Sequence, residues 1–158
     1  MNMTGTKITC QDAGFRLLFL LGMIWAIPMS LIGMVAGLLT IPLGSRLKYS
    51  DHALVFSSFP FGPGGAITFG NVILNTSENL DAIVTTYQCR ADGNRNDCIR
   101  IGNHERAHVY QYMVLGMFFL PVYFICGGIS VKNPMERAAD RYAMTGKGWW
   151  PWGPNSSV

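Results

Sequence analysis

Two stretches of this 158-residue chain carry no charged side chain at all: Leu17–Ser45, of 29 residues, and Val109–Val131, of 23. Both exceed the roughly 18 apolar residues that suggest a membrane span. They make up a third of the chain and explain why only 13% of its residues are charged, where soluble domains average about 25%. Such a pattern argues against a fully soluble, polar protein. Intrinsic disorder is excluded too, because 49% of the residues are hydrophobic. Twelve Lys and Arg against nine Asp and Glu leave a net charge of +3 with no basic cluster, so nucleic acid is not expected as a partner.

As one straight helix the first stretch would reach about 43 Å, more than the roughly 30 Å hydrocarbon core, so it must tilt, kink or fold back. Pro28 removes a helix hydrogen bond near its middle. Gly33 and Gly37 form a small-xxx-small pair, either a helix-packing seam or the ordinary abundance of glycine in membrane helices. The stretch is too long for a signal-peptide core and lacks an A-x-A-like cleavage site. It reads as a long, uncleaved hydrophobic helix spanning residues 15–45, after a tail of residues 1–14. Lys7 and Arg16 before it balance Arg46 and Lys48 after it, so orientation stays open.

Residues 46–158 read as a second unit. Within residues 51–76, Ala53–Phe61 and Ala66–Leu74 read as two short strands joined by Gly62-Pro63-Gly64-Gly65, an antiparallel β unit. The apolar phase shifts at Gly70-Asn71, which suggests a bulge. Ser77–Thr86 suggests one or two helical turns, and Cys89 to Arg100 a polar loop. Cys89 and Cys98 bracket that loop, either as a disulfide in an oxidising compartment or as two thiols. Trp149, Trp150 and Trp152 near Lys147 suggest a tail at a membrane interface. His52 reads as a surface residue.

Two of the three histidines fall in His104-Glu105-Arg106-Ala107-His108. On a helix, residues four apart share a face, so both imidazoles reach one metal ion while Glu105, about 100° round, approaches a bound water. Hydrolytic zinc sites need a third ligand and an open position. Downstream, Asn133 suits the cap and Pro134 the first turn of a second helix, over residues 133–144, on which Glu136 and Asp140 are one turn apart.

In this H-E-x-x-H followed by E-x-x-A-D, the sequence resembles the gluzincin-type metallopeptidases, especially their integral-membrane branch. The resemblance covers residues 101–143. It implies zinc as cofactor, His104, His108 and Glu136 as its ligands, Glu105 as general base and Asp140 as the carboxylate orienting a ligand histidine. The substrate class it implies is a protein or peptide. The runs His104–Tyr112, Phe119–Tyr123, Asn133–Glu136 and Thr68–Leu74 also resemble a group of small, mostly uncharacterised bacterial membrane proteins with an HERxH motif, implying a bacterial inner-membrane location. Arg106 departs from active zincins, whose two intervening positions are uncharged; it either points outward or pairs with Glu105 and holds it from catalysis. Tyr112 either donates to a developing oxyanion or substrate, or packs in the helix interface.

If residues 109–131 crossed a membrane once, His104 and Glu136 would stand about 30 Å apart and could not share an ion. A shared site therefore demands a hairpin over residues 103–131, pivoting near Pro121 and loosened at Gly127-Gly128, either dipping into a membrane and returning or packed as a buried soluble core helix pair. The expected architecture is α+β and membrane-associated, with a long N-terminal helix, a short antiparallel β unit and a zincin-like helix pair. The expected function is zinc-dependent peptide hydrolysis at a membrane surface, in active or weakened form. The competing expectation is a non-enzymatic structural subunit or assembly factor, with lipid and a partner subunit as its contacts.

Overall fold

The computed structural model describes residues 10–62, 64–93 and 98–153. The first nine residues of the expected tail, Pro63 of the glycine-rich turn and residues 94–97 of the Cys89–Cys98 loop lie outside them. The chain is a mixed α+β fold. In place of one long N-terminal helix stand two, α1 (Cys10–Trp25) and α2 (Ile27–Thr40), bent by 61° at Ala26. Proline 28 sits in the first turn of α2, where its missing N–H costs nothing, so the chain restarts a helix there instead of continuing α1.

A four-stranded sheet follows: β1 (Arg46–Ser50), β2 (Ala53–Ser57), β3 (Ala66–Phe69) and β4 (Val72–Asn75), in spatial order β1-β2-β4-β3. It is mixed rather than antiparallel, because β2 and β4 run parallel while the two hairpins are antiparallel. β1 begins at residue 46, five residues before the expected β unit. Asp51 and His52, with φ of 55° and 62°, form the two-residue turn joining β1 to β2, the left-handed geometry that matches strand twist. Gly70-Asn71 is likewise a two-residue turn and not a bulge, since Phe69 pairs directly with Val72. That turn, rather than an inserted residue, resets the apolar phase.

The Gly70 turn also explains the elbow between α1 and α2. Asn71 N–H donates to Ser30 Oγ at 2.8 Å, and its Nδ2 to the Met23 carbonyl at 3.1 Å. A Cβ on Gly70 would meet Ser30 Oγ at 2.3 Å. The elbow and the turn are thus locked together. Gly33 and Gly37 face the sheet and not another helix: a Cβ on Gly37 would stand 2.2 Å from Phe56, and one on Gly33 2.8 Å from Phe69. The small-residue pair is a helix-on-sheet seam.

Ser77–Thr86 holds no helix: a bend over residues 76–80 leads to β5 (Ile83–Thr85), which pairs with β6 (Cys98–Arg100) across the short helix α3 (Tyr87–Ala91). Asn75 holds the bend by donating to the carbonyls of Ser77 and Asn79. Helix α4 (Ile101–Leu115) packs on the opposite face of the sheet from α2, burying Ile101 and Val109 against Val55, Ile73 and Leu80.

The second apolar stretch turns back. α4 ends at Gly116, whose φ of 55° breaks the helix before Pro121, and a 3-10 turn leads into α5 (Phe119–Ile125). Gly127 and Gly128 take φ of 115° and 60°, reversing the chain. Asn133 then pins the return, donating to the carbonyls of Tyr123 and Gly128 while its Oδ1 caps α6 (Pro134–Thr145) through the Met135 N–H. α6 lies along α4. Trp149 and Trp150 of the tail are half-buried, and Trp152 is exposed.

By length and apolarity the helical run Ile101–Ile125 could cross a membrane, and the bent pair Arg16–Trp25 with Ile27–Leu43 passes the same test as a broken span. The core helix of a soluble protein passes it too. Leu17, Leu18, Leu20, Leu21 and Ile24 on α1 and Leu31, Ile32, Val35, Leu38 and Leu39 on α2 are all exposed.

Candidate metal centre

The facing surfaces of α4 and α6 bring His104, His108 and Glu136 together, all buried. Their atoms form a small triangle: His104 Nε2 to His108 Nε2 is 3.1 Å, His104 Nε2 to Glu136 Oε2 3.1 Å, and His108 Nε2 to Glu136 Oε2 3.6 Å. The hairpin brings Glu136 back to α4, so a single crossing by residues 109–131 is not the structure. The group can hold a metal ion.

Surrounding hydrogen bonds decide which way the lone pairs point. Asp140 Oδ1 lies 2.9 Å from His104 Nδ1, and its other oxygen accepts the Tyr87 N–H at 2.8 Å. A carboxylate only accepts, so Nδ1 of His104 carries a proton and Nε2 is the ring atom left to bind an ion. For His108 the same task falls to Gln111, whose Oε1 lies 2.9 Å from Nδ1. On Glu136, Tyr123 O–H donates to Oε1, while the buried Oε2 faces the two imidazole Nε2 atoms.

Three possible ligand atoms therefore converge. A tetrahedral ion with bonds of about 2.0–2.1 Å sets its ligand atoms about 3.3–3.4 Å apart, and the three edges, 3.1, 3.1 and 3.6 Å, bracket that value. Burial would raise the pKa of Glu136, yet His108 and His104 beside it outweigh burial and hold the carboxyl well below the usual carboxylate range, so an ionised carboxylate faces the two imidazoles.

Glu105 is buried one residue round the helix, where Thr68 Oγ1 on the edge strand β3 donates to its Oε2 at 2.6 Å. Arg106 does not pair with it. The guanidinium points to the β1–β2 turn, where Nη2 meets Asp51 Oδ1 at 2.5 Å, and Arg100 joins the same carboxylate at 2.7 Å. Tyr112 is fully buried in the core with Phe119, Tyr123 and Met135, and its hydroxyl has no partner among the described residues. The hydroxyl that touches a member of the triangle is instead that of Tyr123. His52 is exposed, near Phe19.

Sequence reasoning missed Tyr123 and Thr68, because each reaches the site from a different element with no fixed spacing from the motif, whereas Gln111 lies on α4 itself, three residues after His108 on the metal-facing side. Asn133 was legible as a cap but not as the pin of the hairpin. No protein-family model, curated protein or solved structure matches the chain.

Proposed function

We propose that the protein is a zinc-dependent metallopeptidase that hydrolyses a protein or peptide at a membrane surface. The observation that supports this most is the triangle of ligand atoms from two imidazoles and one carboxylate, with a second carboxylate, Glu105, beside it on the same helix as the histidines. Two histidines and a glutamate with an open position form the donor set of catalytic zinc rather than of calcium or magnesium, which favour oxygen donors. Zinc held there supplies Lewis-acid polarisation of the scissile carbonyl and acidifies water.

The chain's own residues do the rest. Glu105 takes the proton of the attacking water and returns it to the leaving amine. Thr68 holds that carboxylate in place, and Asp51 keeps Arg106 away from it, so the cation inside the motif is no obstacle to a working base. Asp140 and Gln111 orient the two imidazoles, and Tyr123 orients Glu136. Membrane association rests on the exposed leucine and isoleucine rows of α1 and α2, with Met117, Phe118, Phe124 and Ile125 also exposed, a set of large apolar side chains of the kind that marks a membrane or partner surface.

Metal analysis of the purified full chain tests the reading. One equivalent of zinc is expected in protein prepared without chelators, and less than a tenth of that in His104→Ala. Glu105→Gln should keep the zinc and lose hydrolysis of a quenched fluorescent casein by about 10²–10⁴-fold. Wild-type protein without zinc would overturn the enzyme reading in favour of a structural subunit, and equal hydrolysis by Glu105→Gln would remove the proposed base.

A further inference from the structure

The Trp-rich tail lies outside every motif of the metal site, yet one of its carbonyls is bonded into it. Gln111 is fully buried, and both protons of its amide nitrogen are committed, one to the Met135 carbonyl in the first turn of α6 at 3.1 Å and one to the Trp149 carbonyl at 2.9 Å. Those two acceptors decide which end of the amide faces His108. With Nε2 so engaged, only Oε1 can point at the imidazole, and an oxygen there accepts the Nδ1 proton. Were the amide reversed, its N–H would meet Nδ1, the ring proton would move to Nε2, and an N–H would project into the triangle where a lone pair is needed.

The tail is held for this task. Arg141 on α6 donates to the Gly148 carbonyl from Nε at 3.1 Å and from Nη2 at 2.8 Å, and reaches the Trp150 carbonyl at 3.3 Å. Gly146 and Gly148 each take φ of 72°, the left-handed turns that fold the chain back from the end of α6. The Trp149 ring sits edge-on to Tyr110 of α4, 5.7 Å between centroids.

We propose that the Trp149 segment is a clamp that sets the metal affinity of the site: Arg141 holds the tail, the Trp149 carbonyl fixes the Gln111 amide, and Gln111 fixes the tautomer of His108. Gln111 is a positioning residue, and the tail contributes no ligand. The inference rests on the metal-binding reading above and deepens it.

Two substitutions of Gln111 separate positioning from packing. Gln111→Glu keeps an acceptor for the His108 Nδ1 proton but strips the donors from two buried carbonyls. Gln111→Met fills the space with no polar group, so His108 loses its acceptor. Positioning predicts that zinc affinity, measured by competition with a chromophoric chelator, falls by about 10–100-fold in Gln111→Met and by much less in Gln111→Glu, although Gln111→Glu is the less stable protein in thermal melts. In the zinc-loaded form, the His108 Nδ1 proton should give a slowly exchanging NMR resonance in wild type and Gln111→Glu that is lost in Gln111→Met. Arg141→Ala should weaken zinc several-fold in the wild-type background and not at all in Gln111→Glu, because a carboxylate has no amide to reverse. Zinc affinity that follows thermal stability across the variants, or an Arg141→Ala effect that persists in Gln111→Glu, overturns the clamp while leaving the zinc site intact. Wild-type protein that binds no zinc overturns both readings.

Discussion

Arg106 Nη2 stands 2.5 Å from Asp51 Oδ1, so the one cation inside the H-E-x-x-H motif is tied to the β1–β2 turn. The Asp51 side chain is 2% exposed and bonds both Arg106 and Arg100. Its replacement by Asn leaves two half-buried guanidinium groups without a counter-charge. We expect Asp51→Asn to lower the unfolding free energy by about 2–3 kcal/mol in denaturant titration, with Arg106→Met in the same background restoring part of it by removing one unpaired cation.

The same carboxylate sets a pH dependence. Burial would raise its pKa, but bonds from Arg100, Ser50 and Arg106 bring it down to about 2 from 3.8. A group whose pKa is lower folded than unfolded stabilises the fold above its unfolded value and ceases to do so as pH falls through its folded value. The stability difference between wild type and Asp51→Asn should therefore be constant above about pH 5 and shrink between pH 4 and pH 2. Melting both proteins across that range checks it, and a difference that grows on acidification would contradict the assignment.

Thr68 supplies the hydrogen bond to Glu105 from outside the helix. Thr68→Val keeps the shape and removes the donor. The zinc content should be unchanged while casein hydrolysis falls by about 10-fold, in keeping with a carboxylate that remains present but less well placed.

Gly37 lies against the ring of Phe56, which is fully buried. Gly37→Ala would put a Cβ 2.2–2.4 Å from three ring carbons, so helix and sheet must separate. A loss of about 1–3 kcal/mol is expected. Gly14 on α1 has open space around it, and Gly14→Ala should leave stability unchanged or raise it slightly, since alanine favours the helix. Thermal melts of the two variants in the same detergent provide the comparison.

The returning hairpin places both of its ends at the metal site, which makes sidedness measurable. Single cysteines at Asn103 and Lys132, in a background without the native cysteines, should be labelled by an impermeant maleimide from the same face of sealed vesicles. Labelling from opposite faces would contradict the hairpin.

The histidine spacing, the cap Asn133 and the proline at the start of α6 were legible in the residues, because each depends on helix geometry within a few positions of the chain. The break in the first apolar stretch was legible as a necessity, since 29 residues outrun a bilayer as one helix, although where it fell depended on the Gly70 turn beneath Ala26 and Ser30. The sheet order was not legible: β2 pairs in parallel with β4 through a connection whose strands carry no mark of their partner. Asp51 and Arg106 are 55 positions apart, Thr68 and Glu105 37, Gln111 and Trp149 38. Local spacing thus determined which side chains could share a helix face. Only the tertiary fold decided that Arg106 turns from Glu105, that Tyr123 and not Tyr112 meets a carboxylate of the triangle, and that a tail carbonyl orients Gln111. The physical reason is that hydrogen bonds and ion pairs depend on distance in space, and chain separation gives no rule for it.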